Sequence, residues 1–487
     1  MKIALAIAPW RHAETYPPSQ GRSNRLSGRF GLLGGATPPL SLLGLSSWLE
    51  AHGHQTSFTD GFFLEEAAFM EHLLAGDPAW VGLWATQFSW ERTAALAREV
   101  KARAPGVAVV VGGNHATALG ARLLEEPGSE GVDFLVGRDG EDPSLELCEV
   151  LDGRRSAATV RGLVWRDGDR VVQNAQRPYR EDLDALPFPN YDLIDLGVYA
   201  PAIGSYNCLP SVNMMTTRGC AGHCAFCHAA NSLRARSVDN VMEEIRWLRG
   251  RFGVRHLLFF DETFTWERER VVEICRRMME ERIHISWTCN SRVDTMDPSL
   301  LALMRRAGCW RVQLGGESGV QKNLDAIGKG VSVAQNRRGV EMVRAADMEA
   351  FISFIFGIPG ETWEEGLQTI RFAVSLPATY VNFLNCIPLA GSQLYAHAEQ
   401  HGRWVGPAAF HLLSWVPHSM SYDQLADLLV RGPRAFYFRP RYLVSRALRM
   451  RSFEDLRRNA RGLLAFAGLD PKRDFGAAPA GPLSRAG

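Results

Sequence analysis

Thr216-Thr217-Arg218-Gly219-Cys220-Ala221-Gly222-His223-Cys224-Ala225-Phe226-Cys227 is the stretch from which the rest of the chain is read. Its three cysteines are spaced Cys-x3-Cys-x2-Cys on a glycine-containing loop that follows the apolar run 212–215. An iron–sulfur cube takes thiolate ligands, and three thiolates on one short loop can wrap one face of a [4Fe-4S] cluster. One iron then has no protein ligand and is open to a substrate or cosubstrate. Two other readings compete, a zinc site and chance clustering. Zinc wants a fourth ligand and usually shows paired cysteine units; His223 or His228 could supply one, but no second pair follows.

Toward the C-terminus, residues 206–400 repeat strand then helix. Strands are expected over 212–215, 256–260, 286–289, 311–314, 351–356 and 380–385, with helical patterns between them. Six such units imply a partial TIM-like (β/α)6 barrel with its chemistry at the carboxyl ends of the strands. The cysteine loop follows the first of those strands. This spacing and its surroundings resemble the radical S-adenosylmethionine (SAM) superfamily. The resemblance implies that SAM chelates the open iron through its amino and carboxylate groups.

It also implies roles for the residues that close each strand. Asp261 and Glu262 fall where the family holds the methionine amino group. Ser291 and Arg292 end the third strand, where a guanidinium can fork onto the SAM carboxylate. Glu317 is placed for the ribose hydroxyls, Gly357 opens an adenine-packing loop, and Phe226 packs beside adenine. Any one of these carboxylates is nearly as readily a salt bridge or a helix cap. Four strand ends matching in order carry the resemblance.

Toward the N-terminus, residues 1–150 alternate short apolar runs with helical patterns, which implies a parallel α/β sheet of Rossmann-like type. Strands are expected over 3–8, 55–59, 80–84, 107–111 and 134–136. The segment resembles the cobalamin-binding domain found ahead of many radical SAM domains. The matching pieces are Pro38-Pro39-Leu40, Gly53-His54, the run from Val111 to Thr117, and the run from Gly137 to Glu141. By this resemblance Thr86, Gln87, Gly112, Gly113, His115 and Glu141 lie on loops at the cofactor edge; a generic Rossmann-like domain is the alternative. One departure matters. The string Asp-x-His-x-x-Gly, which marks a protein imidazole on cobalt, does not occur in this chain. The implied cobalamin therefore has no histidine on its lower face, and His115 contacts its edge or is a plain loop residue.

Residues 151–205 read as a connector with a small hairpin turning at Asp167-Gly168. Residues 401–469 read as helical. Within them seven arginines from Arg431 to Arg451 interleave with Phe436, Tyr437, Phe438 and Tyr442. A packed helix pair with snorkelling arginines, a nucleic-acid or membrane surface, or an anionic substrate lid would each produce that pattern. Residues 470–487, rich in Ala, Pro and Gly, are expected to be disordered.

Composition excludes some classes. The 487 residues carry a net charge of +1, which gives no global pull toward nucleic acid. The longest apolar runs fall far short of the roughly 20 residues of a membrane span, although peripheral contact stays open. Nine cysteines, an odd number scattered along the chain, do not form a disulfide framework and fit a reducing cytoplasm.

Together these readings describe a biosynthetic, cobalamin-dependent radical SAM methyltransferase, monomeric and served by an electron donor such as flavodoxin or ferredoxin. Its substrate would be a small molecule methylated at an unactivated carbon. A cobalamin-assisted cyclase and an iron–sulfur or corrinoid carrier without substrate chemistry are the alternatives.

Overall fold

Alternation of apolar strands with amphipathic helices sets the architecture of both halves. The computed structural model describes residues 1–9, 35–202, 205–229, 232–406 and 413–447. These fall into two compact units, residues 1–9 with 38–195, and residues 35–37 with those from 196 on.

In the first unit, β1 (Lys2–Ile7), β2 (Gln55–Asp60), β3 (Trp80–Trp84), β4 (Ala108–Gly112) and β5 (Phe134–Val136) form a parallel sheet in the order β2-β1-β3-β4-β5. Successive residues of one strand serve opposite faces. Ala4, Val81, Leu83, Val109 and Val111 join Phe69 and Leu96 in one core. Ile3, Leu5, Trp80 and Val110 join Leu42, Leu49 and Leu147 in another. Both faces are thus covered, as a doubly wound sheet requires, and strand order reverses between β1 and β3. Ligands bind at such a reversal, beyond the carboxyl ends of the strands.

The segment expected as a connector does not stand apart. Its hairpin, β6 (Leu163–Asp167) and β7 (Arg170–Gln173), pairs antiparallel onto β5 and extends the sheet. Leu163 and Val160 are buried in the second core, and covering the β5 edge satisfies backbone groups that an open edge would leave unpaired.

In the second unit, β8 (Ser211–Met214), β9 (His256–Phe259), β10 (Ser286–Ser291), β11 (Cys309–Glu317), β12 (Glu349–Phe356) and β13 (Tyr380–Asn385) are all parallel and lie in strict chain order. With right-handed crossovers, such an order puts every connecting helix on one face of the sheet. Val212, Leu257, Trp287, Val312, Ile352 and Val381 are buried on that face. The alternate residues line the other face of the partial barrel.

Side-chain caps start several of these helices at a defined place. Ser237 accepts from Asn240 N, Asp297 from Leu300 N, and Ser332 and Thr362 head capping boxes with Gln335 and Glu365. Each cap contributes about 1 kcal/mol. The expected helical C-terminal region begins with a short antiparallel pair, Gly402–Trp404 with Trp415–Pro417, before the helix Tyr422–Tyr437. Phe436 and Tyr437 are buried, and Tyr437 Oη donates to Val381 O at 2.7 Å. Arg439 lies over the Phe436 ring at 4.1 Å. In the described part of the arginine–aromatic stretch, Phe436 and Tyr437 pack inward while Arg431, Arg434, Phe438 and Arg441 are exposed; the tail expected at 470–487 lies outside the described residues. Among the described residues no helix is long and apolar enough to cross a membrane.

Candidate active site

The cysteine loop leaves the end of β8 and is fixed at its root by Asp261. That carboxylate, fully buried after β9, accepts hydrogen bonds from Thr216 N (2.8 Å), Thr217 N and Thr217 Oγ1 (2.7 Å). Burial outweighs these donors and holds its pKa above the usual carboxylate range. Arg270 braces the same turn, donating to Thr216 Oγ1 at 3.1 Å and Thr216 O at 2.9 Å. Gly219 has φ +79°, and a Cβ there would sit 2.4 Å from Ser232 O. Only glycine lets the loop fold back so closely.

Each thiol then faces a donor. Gly222 N donates to Cys220 Sγ (3.3 Å), Ala229 N donates to Cys227 Sγ (3.4 Å), and Arg292 Nη1 lies 4.0 Å from Cys224 Sγ. Hydrogen bonds to sulfur stabilise thiolates and tune iron–sulfur clusters. Burial pushes the Cys227 thiol up to about 11; the Ala229 N–H works the other way, while Glu262, Cys224 and Cys220 add to the rise. Such a crowd of potential anions fits a cationic cluster. His223 and His228 are exposed, and among the described residues no three His, Cys, Asp or Glu side chains close on a single ion. A cube needs no such convergence, because its ligands bind separate irons.

The other strand-end residues are partly committed within the protein. Glu262 is exposed at the mouth of the site, where surrounding burial and then Asp261 raise its pKa. Ser291 is buried in a hydroxyl cluster with Thr265, which also meets Thr295 Oγ1 at 2.6 Å. Arg292 spends its Nε–Nη2 edge on Asp294, at 2.9 and 2.8 Å, and also donates to Lys329 O at 2.8 Å. The expected fork toward a SAM carboxylate is thus occupied, and Nη1 is the nitrogen turned toward the cysteines. Glu317, at φ +58°, receives Lys329 Nζ at 2.7 Å in a buried pair. Phe226 packs against Ile327, Ile355, Ile358, Cys386 and Leu394. Gly357 (φ +82°) and Ile358 donate to Glu361 Oε2 at 2.6 and 3.3 Å.

Sequence reasoning missed Lys329. Burial opposes its charge, but Glu317 and then Cys224 outweigh it and hold its pKa above the ordinary value. The available signal was Gly328-Lys329-Gly330, whose glycines have φ +61° and +72° and set a lysine on a tight turn. The same turn touches the cysteine loop, since Ala225 N donates to Ile327 O at 2.9 Å.

At the carboxyl edge of the first sheet, Thr86 and Ser89 tie the β3 loop, with Thr86 N donating to Ser89 Oγ at 3.0 Å; Gln87 is half-buried between them. Gly112 ends β4. Gly113 has φ +109°, and a Cβ there would lie 2.4 Å from Ala85 O. Arg138 N donates to Thr117 Oγ1 at 2.8 Å, joining the β4 and β5 loops. His115 is buried, with its ring 6.0 Å from that of Trp90, and Glu141 is buried at the start of its helix. The β3 loop stands at the strand-order reversal, and the glycine-lined β4 loop and the β5 loop continue that edge, on the side of the sheet where ligands bind.

Two family models match the chain, the Radical SAM superfamily over residues 214–373 and the B12 binding domain over residues 28–147. An uncharacterized methyltransferase of Pyrococcus horikoshii, PH0819, is 30% identical over 476 residues, covering 95% of this chain and 98% of that protein. The chain belongs to the cobalamin-binding radical SAM family. This radical SAM protein is also 28% identical over 363 residues to the anaerobic magnesium-protoporphyrin IX monomethyl ester cyclase of Cereibacter sphaeroides, covering 72% of the chain and 58% of the cyclase. Its fold is shared with the radical SAM methyltransferase TsrM of Kitasatospora setae, solved with cobalamin and a [4Fe-4S] cluster, at TM-score 0.63 and 18% identity over 82% of this chain and 75% of that one. The family's cofactors are the cluster, SAM and cobalamin, and the relatives are enzymes, so the carrier reading falls away.

Proposed function

We propose that this enzyme methylates an unactivated carbon of a small molecule, with Cys220, Cys224 and Cys227 as ligands of the cluster. When bound, the cluster supplies the electron that cleaves SAM, and cobalamin supplies the methyl group. The chain's own residues prepare the place. Asp261 and Arg270 set the loop, and the N–H groups of Gly222 and Ala229 with Arg292 Nη1 stabilise the thiolates. Glu262, exposed beside the cysteines, accepts from the SAM amino group. Phe226 with Ile355 and Ile358 forms an apolar slot for adenine, and Glu317, already carrying Lys329, offers its second oxygen to the ribose. In the first unit the loops at Thr86–Gln87, Gly112–His115 and Glu141 hold cobalamin.

The observation that carries the reading is the thiol triad with its three donors at a strand end, in a chain similar to a methyltransferase along nearly its whole length. Cyclisation without methyl transfer is the second reading, supported by the cyclase relatives. An electron donor such as flavodoxin or ferredoxin, a monomeric state and a cytoplasmic site complete the proposal; nine free cysteines support the last. The test is anaerobic incubation of reconstituted protein with SAM, hydroxocobalamin and a low-potential reductant. S-adenosylhomocysteine and 5′-deoxyadenosine should both appear, and both should vanish on changing the three cysteines to Ala. Deoxyadenosine without cobalamin-dependent S-adenosylhomocysteine would favour the cyclase.

A further inference from the structure

The sheet face turned away from the helices carries a row of uncharged polar side chains that the fold does not use. Register sets Gln313 beside Phe351 and Phe351 beside Tyr380; one step on, Gly315 stands beside Ser353 and Ser353 beside Asn382; Ile355 and Leu384 follow. Gln313 and Ser353 are half-buried and Asn382 is exposed. Their side chains hydrogen-bond to no other described residue. Asn290, paired with Gln313 across β10 and β11, donates to Asp261 O at 3.2 Å, so the row shares its face with the anchor of the cysteine loop.

Charges on the same three strands are matched internally. Arg311 pairs with Glu349 and lies over the Trp310 and Tyr380 rings at 4.4 and 4.5 Å. Glu317 pairs with Lys329, and the pair lies over Gly315, whose added Cβ would be 2.4 Å from Glu317 Oε1 and 2.7 Å from Lys329 Nζ. Apolar side chains frame these residues, with Phe351 and Tyr380 on the level of Gln313 and Ile355 and the 37%-exposed Leu384 one level beyond Ser353 and Asn382. Levels two residues apart are about 6.6 Å from each other, room for one ring between them.

We propose that Gln313, Ser353 and Asn382 form the substrate-recognition wall of this site and take a flat, uncharged group that carries both N–H donors and carbonyl acceptors: a cyclic amide, imide or ureide. This rests on the proposed function and specifies its substrate class. Asn and Gln each present a donor and an acceptor on one planar head, and Ser does both with one hydroxyl. Left dry and unmatched, each would cost the desolvation of a polar group, so the occupant must return those bonds. A charged occupant would find no free counter-charge on these strands and would lose its hydration.

Uracil and orotate, which differ by one carboxylate, are the probes. Full-length protein carrying cluster, cobalamin and SAM is titrated anaerobically with each by calorimetry. Uracil should bind saturably and more tightly than orotate. Gln313→Leu and Asn382→Leu should each weaken uracil about tenfold, the effect of one hydrogen bond, with iron content and melting temperature unchanged. Tighter binding of orotate, no saturable uracil binding, or Leu variants that bind uracil like the wild type would each overturn the proposal. A lowered melting temperature in both variants would assign the row to folding and overturn it too. Failure of the methyltransferase reading shows separately, as wild-type protein that makes no S-adenosylhomocysteine whatever the titration gives.

Discussion

Replacing Glu361 with glutamine isolates the group that holds the Gly357–Ile358 turn at the end of β12. Its carboxyl is buried, accepts from Gly357 N (2.6 Å), Ile358 N (3.3 Å) and Asn323 Nδ2 (3.1 Å), and is pushed by burial from the ordinary 4.5 to about 8 against those donors. In the unfolded chain the group loses its proton near 4.5, whereas in the folded chain it keeps the proton to about 8. Between those values the unfolded state binds fewer protons, so stability falls as pH rises and levels off above pH 8. At 1.36 kcal/mol per pH unit the ceiling is about 5 kcal/mol; relaxation around a buried charge leaves about 2–4 kcal/mol. Glutamine keeps a carbonyl for the two N–H groups but has no proton to lose. Melting curves of both full-length proteins, taken anaerobically from pH 5 to 9, give a difference curve in which all other titrations cancel. The wild type should lose roughly 4–16 °C relative to Glu361→Gln between pH 5 and 8, at about 2–4 °C per kcal/mol for a domain of this size. A difference curve flat to within a degree, or one rising with pH, would refute the reasoning.

Asp261→Ala strips the acceptor from two buried backbone N–H groups at about 1–3 kcal/mol each, so iron incorporation should drop with all three cysteines intact, as read by iron and sulfide analysis. Lys329→Met leaves Glu317 buried and unpaired and should cost about 3–5 kcal/mol; adding Glu317→Gln should recover most of it in a thermal-melt double-mutant cycle, and simple additivity would deny the coupling. Bound cob(II)alamin should give an electron paramagnetic resonance spectrum without nitrogen superhyperfine splitting, because the Asp-x-His-x-x-Gly string is missing and His115 is buried against Trp90. Triplet splitting would place an imidazole on cobalt after all.

The sequence by itself determined the repeating strands, because a parallel strand covered by helices must be apolar and a helix must be amphipathic. It determined the cysteine loop too, since Cys-x3-Cys-x2-Cys and its glycines are local. Even the strand-end motifs were legible by position. What those side chains do was not. Asp261 reads as a ligand contact, yet it is consumed by Thr216 and Thr217, and Arg292 by Asp294. Lys329 reads as an ordinary loop lysine until folding brings it onto Glu317, 12 residues away in the chain. The 151–205 segment reads as a linker because a hairpin's partner strand cannot be seen from its own residues. Strand register alone brings Gln313, Ser353 and Asn382 from three separate strands onto one sheet face, at two adjacent levels. Local pattern fixes elements through short-range sterics and burial, whereas pairing among distant polar groups depends on distances that exist only once the sheet has closed its neighbours together.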